Sequence, residues 1–308
     1  MKMVAERIVS VALLVSILLL HCREEALEVA IIYPDHGSVV EGIVRVETET
    51  SDKVRCVIFY VDDACIDSCR AAPFLCCWNT FVHSGNSVHH LYAIAQDFYG
   101  NEICSDSVQV IVDNGDIVFA DDFEPYPPHT YPDAAWFEIW LGAGSEHTYV
   151  DEGVANKGLQ SIRLRGLASW VRTDGVELNV DGLEDLSYEL SVMIPSADST
   201  GAMFGFFCMV GPQVGTIYNG VWFRSEDNSV YARGILETYT GCTWRYDTWH
   251  RVRVALDYDQ LRMNVWFDDE QIVFDLPAAP REWTDTFALA TEYGSAGVVY
   301  YDDVSVSE

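Results

Sequence analysis

Where apolar and polar residues alternate along this chain, they do so with a period of two. Val44, Val46 and Thr48 alternate with Arg45, Glu47 and Glu49; Leu91, Ala93 and Ala95 alternate with His90, Tyr92, Ile94 and Gln96; Val108, Val110 and Val112 alternate again. Downstream the same pattern returns at Ile162 and Leu164, at Val176, Leu178 and Val180, at Tyr188 to Ile194, at Val252 to Leu256 and at Met263 to Phe267. Successive strand side chains point to opposite faces, so this period predicts half-buried strands. No stretch of helical length carries a 3.6-residue period, and the predicted class is all-β. Turn residues punctuate the runs: Pro34-Asp35-His36-Gly37, Asp62-Asp63, Ser84-Gly85-Asn86, Tyr99-Gly100-Asn101, and Glu226-Asp227-Asn228 inside a hairpin of Gly220–Arg224 with Ser229–Arg233. A polar, turn-prone break at Asp113-Asn114-Gly115-Asp116 divides the 308 residues into two predicted domains. Several short strands over residues 27–113 suggest a sandwich. Residues 116–308 hold about ten or more predicted strands, which fits a jelly roll.

Charge narrows the partners. The chain has Lys+Arg 18 against Asp+Glu 48, a formal net of −30. Such a body repels nucleic acid and anionic membrane surfaces, and it leaves neutral glycans and hard cations as ligands. Life in high salt and an ordinary acidic secreted protein both suit this balance.

Residues 1–22 read as an address. Lys2 and Arg7 precede an uncharged run from Ile8 to Leu20, too short to span a bilayer and suited to a secretion signal. The following Leu19-Leu20-His21-Cys22 resembles the lipobox of bacterial lipoproteins, with His21 where a small residue is usual. The resemblance implies lipid on Cys22, export to the bacterial outer surface and membrane attachment only through that anchor. The alternative is simple secretion to the extracellular space. The chain has 9 Cys, so lipidation of Cys22 leaves an even number for disulfides in an oxidising compartment. Cys208 with Cys242 is the expected bridge, since neither has another partner near in sequence. A zinc site is the competing use, but Cys65, Cys69, Cys76 and Cys77 do not form two C-x-x-C pairs.

Two longer resemblances follow from particular residues. Ile32-Tyr33-Pro34-Asp35-His36-Gly37-Ser38-Val39-Val40-Glu41-Gly42, Val57-Ile58-Phe59-Tyr60-Val61-Asp62 and Ala95-Gln96-Asp97-Phe98-Tyr99-Gly100-Asn101 resemble the opening, a central strand and the corner of bacterial Ig-like domains. The cysteine-rich stretch Cys65 to Cys77 departs from that pattern. The likeness implies a β-sandwich that acts as a spacer or an adhesive module. Asp121-Asp122-Phe123-Glu124, Asp247-Thr248-Trp249-His250-Arg251-Val252-Arg253-Val254 before Val265-Trp266-Phe267-Asp268-Asp269, and Asp302-Asp303-Val304-Ser305-Val306 resemble the concanavalin A-like, laminin-G-like lectin/glucanase superfamily. Asp269 stands where that family usually has Gly. The likeness implies a concanavalin A-like jelly roll, and a superfamily of both binders and glycosidases.

The residues bear on that choice. A retaining glucanase needs two carboxylates about 5–5.5 Å apart, and the Glu-x-Asp-x-x-Glu strand of the family is absent from this sequence. Binding of a glycan or a cell-surface partner is therefore expected ahead of catalysis; a jelly-roll hydrolase or lyase and a purely structural envelope protein are the alternatives. Because first and last strands usually pair in such jelly rolls, Asp121, Asp122, Glu124, Asp302 and Asp303 are expected to meet. Together they would suit a structural calcium, which relieves the repulsion between clustered carboxylates; solvated turn acids are the bland reading. Glycan recognition would use rings. Among Trp136, Trp140, Trp170, Trp222, Tyr231, Tyr239, Trp244 and Trp266, most are expected in the core. Trp170, Trp222 and Tyr231 are the candidates for an exposed binding face.

Overall fold

The computed structural model describes residues 26–83, 85–140, 147–167, 173–179, 183–209, 214–283 and 286–308. The expected signal segment, Cys22 and Trp170 lie outside them. The fold is all-β, as the two-residue period predicts: among the described residues no α-helix occurs, only two short 3₁₀ turns. No helix among them is long and apolar enough to cross a membrane. The early strands are β1 (Val29–Tyr33), β2 (Val39–Val40), β3 (Ile43–Thr50), β4 (Val54–Val61), β5 (Ala64–Cys69), β6 (Leu75–Asn79), β7 (Ser87–Asp97), β8 (Glu102–Cys104) and β9 (Val108–Val112). The chain divides into two compact units. Among the described residues, one falls within 26–33, Glu47–Leu75 and His90–Val108; the other falls within Pro34–Val46, Cys76–His89 and Gln109–Glu308.

In the first unit, β4 pairs antiparallel with β5 and β7, β7 pairs with β8, and β1 pairs with the second half of β3. Alternation decides the faces. Val57, Phe59, Val61, Leu91, Ala93 and Ala95 are buried, while the cross-strand neighbours Tyr60 and Tyr92 stack on the opposite face at 4.9 Å.

The second unit is built around two large antiparallel sheets. Its strands are β10 (Ile117–Asp121), β11 (Phe137–Trp140), β12 (Thr148–Glu152), β13 (Gln160–Gly166), β14 (Thr173–Glu177), β15 (Asp185–Met193), β16 (Ala202–Phe207), β17 (Ile217–Phe223), β18 (Ser229–Arg233), β19 (Glu237–Thr243), β20 (His250–Asp257), β21 (Arg262–Phe267), β22 (Glu270–Pro277), β23 (Thr286–Thr291) and β24 (Gly297–Ser307). An eight-stranded sheet runs β12-β13-β24-β15-β20-β21-β22, with β10 also on β24. A seven-stranded sheet runs β11-β14-β23-β16-β17-β18-β19. Their inward residues form one apolar core, including Leu190, Val192, Val252, Val254, Val265 and Tyr301 from the first sheet and Phe204, Phe206, Val221, Phe223, Val230 and Leu289 from the second. This is the expected jelly roll. Trp136 and Trp244 are core residues, each 2% exposed.

The segments Pro34–Val46 and Cys76–His89 of this unit are tied down by Asn114, read from the sequence as part of a polar break. Asn114 is 7% exposed. Its Oδ1 accepts from Gly42 N at 2.9 Å and Thr80 Oγ1 at 3.0 Å, and its Nδ2 donates to Thr80 O at 3.2 Å. Asn114→Ala strands the part-buried Gly42 N–H and removes two bonds to Thr80, so it is expected to cost about 2–3 kcal/mol. A urea titration of the parent and the variant measures this, and a loss below about 1 kcal/mol would show that these bonds are dispensable.

No disulfide joins cysteines among the described residues, and the expected Cys208–Cys242 bridge is not formed. Cys208 follows β16 and packs with Tyr218 and Ala279, whereas Cys242 lies on β19. Those strands stand three places apart in the sheet, about 14 Å at normal strand spacing. The register also puts Cys242 near the Ala202 end of β16, at the far end from Cys208. Cα atoms more than about 7 Å apart cannot be bridged.

Candidate functional site

The outer face of the seven-stranded sheet carries a row of large side chains. On β16, Ala202, Phe204 and Phe206 point into the core, so Met203, Gly205 and Phe207 face out. A bulge between Phe204 and Phe206 lets β16 skip a step against β17. It is made with glycines: Gly205 has φ +140, and a Cβ there would lie 2.5 Å from Gly220 Cα. The bulge leaves Trp222 facing out directly opposite Met203. The register continues Trp222↔Tyr231 and Tyr231↔Tyr239. Met203, Trp222, Tyr231 and Tyr239 thus form one line across four adjacent strands, a strip of about 14 Å. The Trp222 and Tyr231 rings lie 6.3 Å apart and the Tyr231 and Tyr239 rings 5.5 Å apart. Tyr239 is 53% exposed. The Arg224 guanidinium sits 4.0 Å from the Tyr231 ring centre and 4.6 Å from that of Trp222, and Glu237 holds it at 2.9 Å.

Of the three expected binding residues, Trp222 and Tyr231 are therefore neighbours on one face, and Trp170 lies outside the described residues. The hairpin reading found the pair. Sequence reading placed Tyr239 only among the ring supply, and it missed Met203, Arg224 and Arg233. The signal for Tyr239 was its own alternation on the next strand; the arginines carried none. The arrangement offers ring faces, fixed N–H donors and few acceptors. Two carboxylates near the ring row are engaged: Glu237 by Arg224, and Glu292 by Ser225 N. The geometry suits stacking and hydrogen bonding of a planar-faced ligand.

The five acidic residues expected to hold calcium do meet. Strand β24 pairs with β13 over Gly297–Tyr301 and then with β10 over Val304–Ser307, so Asp302 and Asp303 sit where β24 changes partner. Asp121 ends β10 opposite Val304. Their oxygens, however, are turned to protein donors. Asp121 accepts from Phe123 N, Tyr126 OH and Trp136 Nε1. Asp302 accepts from Asn156 N and Lys157 N, and Asp303 from Asn156 Nδ2, with Lys157 Nζ at 3.5 Å. Glu124 accepts from Leu159 N and Gln160 N, and Asp122 from Glu124 N. Among the described residues, no group of three or more His, Cys, Asp or Glu side chains could hold a metal ion. Each of these five carboxylates therefore spends at least one oxygen on a protein N–H donor. The cluster instead ties residues 121–126 to residues 156–160 and to β24. Burial pushes Asp121 up to about 7 against the pull of its three donors, and pushes Asp302 up to about 6. Asp122 is also raised, first by burial and further by Glu124 and Asp303.

The sequence matches no protein-family model and no curated protein. Solved structures with similar folds include a sialidase, at 10% identity over 71% of this chain and 21% of that one, TM-score 0.45. Another is the CBM66 carbohydrate-binding module from Bacillus subtilis, at 9% identity over 56% of this chain and 96% of that module, TM-score 0.36. A third is the CBM22-1 xylan-binding domain of Paenibacillus barcinonensis Xyn10C, at 11% identity over 63% of this chain and 94% of that domain, TM-score 0.37. The chain spans about a fifth of that sialidase. These neighbours are β-sandwich, carbohydrate-related structures.

Proposed function

We propose that this protein binds a glycan on the outer face of its seven-stranded sheet, without cleaving it. The observation that carries this reading is the in-register line Met203–Trp222–Tyr231–Tyr239. Aromatic side chains in a line on a rigid sheet offer apolar ring faces for stacking at small entropic cost, because the strands already fix their spacing. The Arg224 guanidinium lies over one face of each of the half-buried Trp222 and Tyr231 rings, so they are ordered before a ligand arrives. The acidic body accords with a ligand that is not a polyanion. Export, with lipid on Cys22, is part of the same proposal, supported by the apolar run and the residues before Cys22. Mass spectrometry of the membrane-extracted protein would show a diacylglyceryl Cys22 or an unmodified terminus.

The test is a glycan array followed by calorimetry and a reducing-sugar assay. Trp222→Ala and Tyr231→Ala are each expected to weaken binding of the captured glycan about tenfold or more. Parent affinity in both variants would reject the face, and release of reducing ends would reject the non-catalytic role.

A further inference from the structure

Beside Trp222 the same face sinks into a cavity of 110 Å³, walled by Met203, Gly215, Ile217, Gly220, Trp222 and Arg233, among others. Two of these wall residues carry a buried N–H donor, Trp222 Nε1 and Arg233 Nε, and neither finds an acceptor among the described residues. Buried donors are nearly always partnered, and each one left without costs about 1–3 kcal/mol. Two beside one cavity mark a place built to receive acceptors.

Charge selects the acceptor. This chain has 48 acidic against 18 basic side chains, and its arginines pair readily: Arg224 with Glu237, and Arg251 with Glu189 and Asp269. Arg233 makes no ion pair among the described residues, and no carboxylate lines the cavity. A hydroxyl would satisfy one donor while bringing a hydrogen of its own, and it would leave the guanidinium charge unanswered. A carboxylate brings two acceptor oxygens and no hydrogen, and its plane matches the guanidinium fork. The volume is equivalent to about three or four waters, room for a carboxylate but not for a sugar ring. The ring would stay outside, on the Trp222 and Tyr231 faces. Close packing demands glycine in this wall: a Cβ on Gly215 would lie 2.7 Å from the Trp140 ring, and one on Gly220 would lie 2.3 Å from Phe204 O.

We infer that the cavity beside Trp222 takes the carboxylate of an acidic sugar, so that the glycan recognised on this face carries uronic acid residues spaced along an otherwise neutral chain. This rests on the proposed glycan face and adds its selectivity. Sparse spacing follows from the net charge of −30, which disfavours a dense polyanion.

The experiment titrates the full mature chain with a short uronate-containing oligosaccharide and with its carboxyl-reduced counterpart of identical linkage. The parent is expected to prefer the carboxylated form about tenfold or more, as suits hydrogen bonds to a charged group. Trp222→Phe, which keeps a ring but removes Nε1–H, and Arg233→Met are each expected to bring that ratio towards one. Arg233→Lys, which restores charge without the fork, should recover part of it. Equal affinity of the parent for the two forms, or a preference that survives in both variants, overturns the inference while leaving the glycan face standing. Binding of both oligosaccharides that is unaffected by Trp222→Ala and Tyr231→Ala overturns the face itself.

Discussion

Asp121→Ala is expected to remove about 3–5 kcal/mol of stability from the second unit, a large share of the 5–15 kcal/mol typical of a folded domain. Asp121 is 3% exposed, and its two oxygens serve three donors: Phe123 N at 2.8 Å, Trp136 Nε1 at 2.8 Å and Tyr126 OH at 3.1 Å. The hydroxyl can rotate to another acceptor. The backbone N–H and the indole N–H cannot, because Phe123 and Trp136 are themselves fully packed, with rings 5.9 Å apart. Alanine therefore leaves two fixed donors buried and unmet. Asp121→Asn keeps the shape and one acceptor but turns an amide N–H₂ towards a donor, and a smaller loss of about 1–3 kcal/mol is expected. Urea unfolding followed by tryptophan fluorescence measures both. A loss under about 1 kcal/mol for the alanine variant would refute this account of the carboxyl, and added calcium that restores the loss would show that these acids hold a cation.

The fate of these acids shows where the sequence was legible. The two-residue period located the strands because burial on one face forces it, and the ends of the jelly roll were correctly expected to meet through pairing of β10 with β24. Whether an aspartate then faces an ion or an amide is decided by a distant backbone, here Asn156 to Gln160, which carries no pattern of its own. Trp222 and Tyr231 were legible because they flank one hairpin, an interaction local in sequence. Their extension to Met203 depends on a bulge, and the only trace of that bulge in the sequence is a pair of glycines, Gly205 and Gly220. The cysteines show the opposite case: Cys208 and Cys242 are near in sequence but three strand spacings apart in the sheet.

The second unit is also expected to lose stability as pH rises from about 4 to about 7. Asp121 titrates near 3.8 when unfolded and is raised to about 7 in the fold, chiefly by burial; Asp302 is raised to about 6, again by burial first, with the charge of Asp303 adding to it. Between those limits the native state holds protons that the unfolded chain has released. Stability changes with pH as the difference in bound protons, unfolded minus native, and here that difference is negative. The contribution is therefore fully present below about pH 4 and is lost as pH climbs through 6 and then 7. At about 1.4 kcal/mol per pK unit, the two groups together represent several kcal/mol. Asp247 works in the other direction, since hydrogen bonds from Ser196 lower it; its stabilisation is lost below about pH 4, outside this window. Repulsion among the 48 acidic residues also grows with pH, but salt screens exposed charges and leaves a buried carboxyl nearly untouched. Unfolding free energies measured by urea between pH about 4.5 and 7.5, at low and at high salt, separate the two. The fall should persist in high salt and flatten in Asp121→Asn/Asp302→Asn, whatever the absolute stability of that variant. A parent whose stability is level or rising across the window would show that both carboxyls ionise freely in the fold.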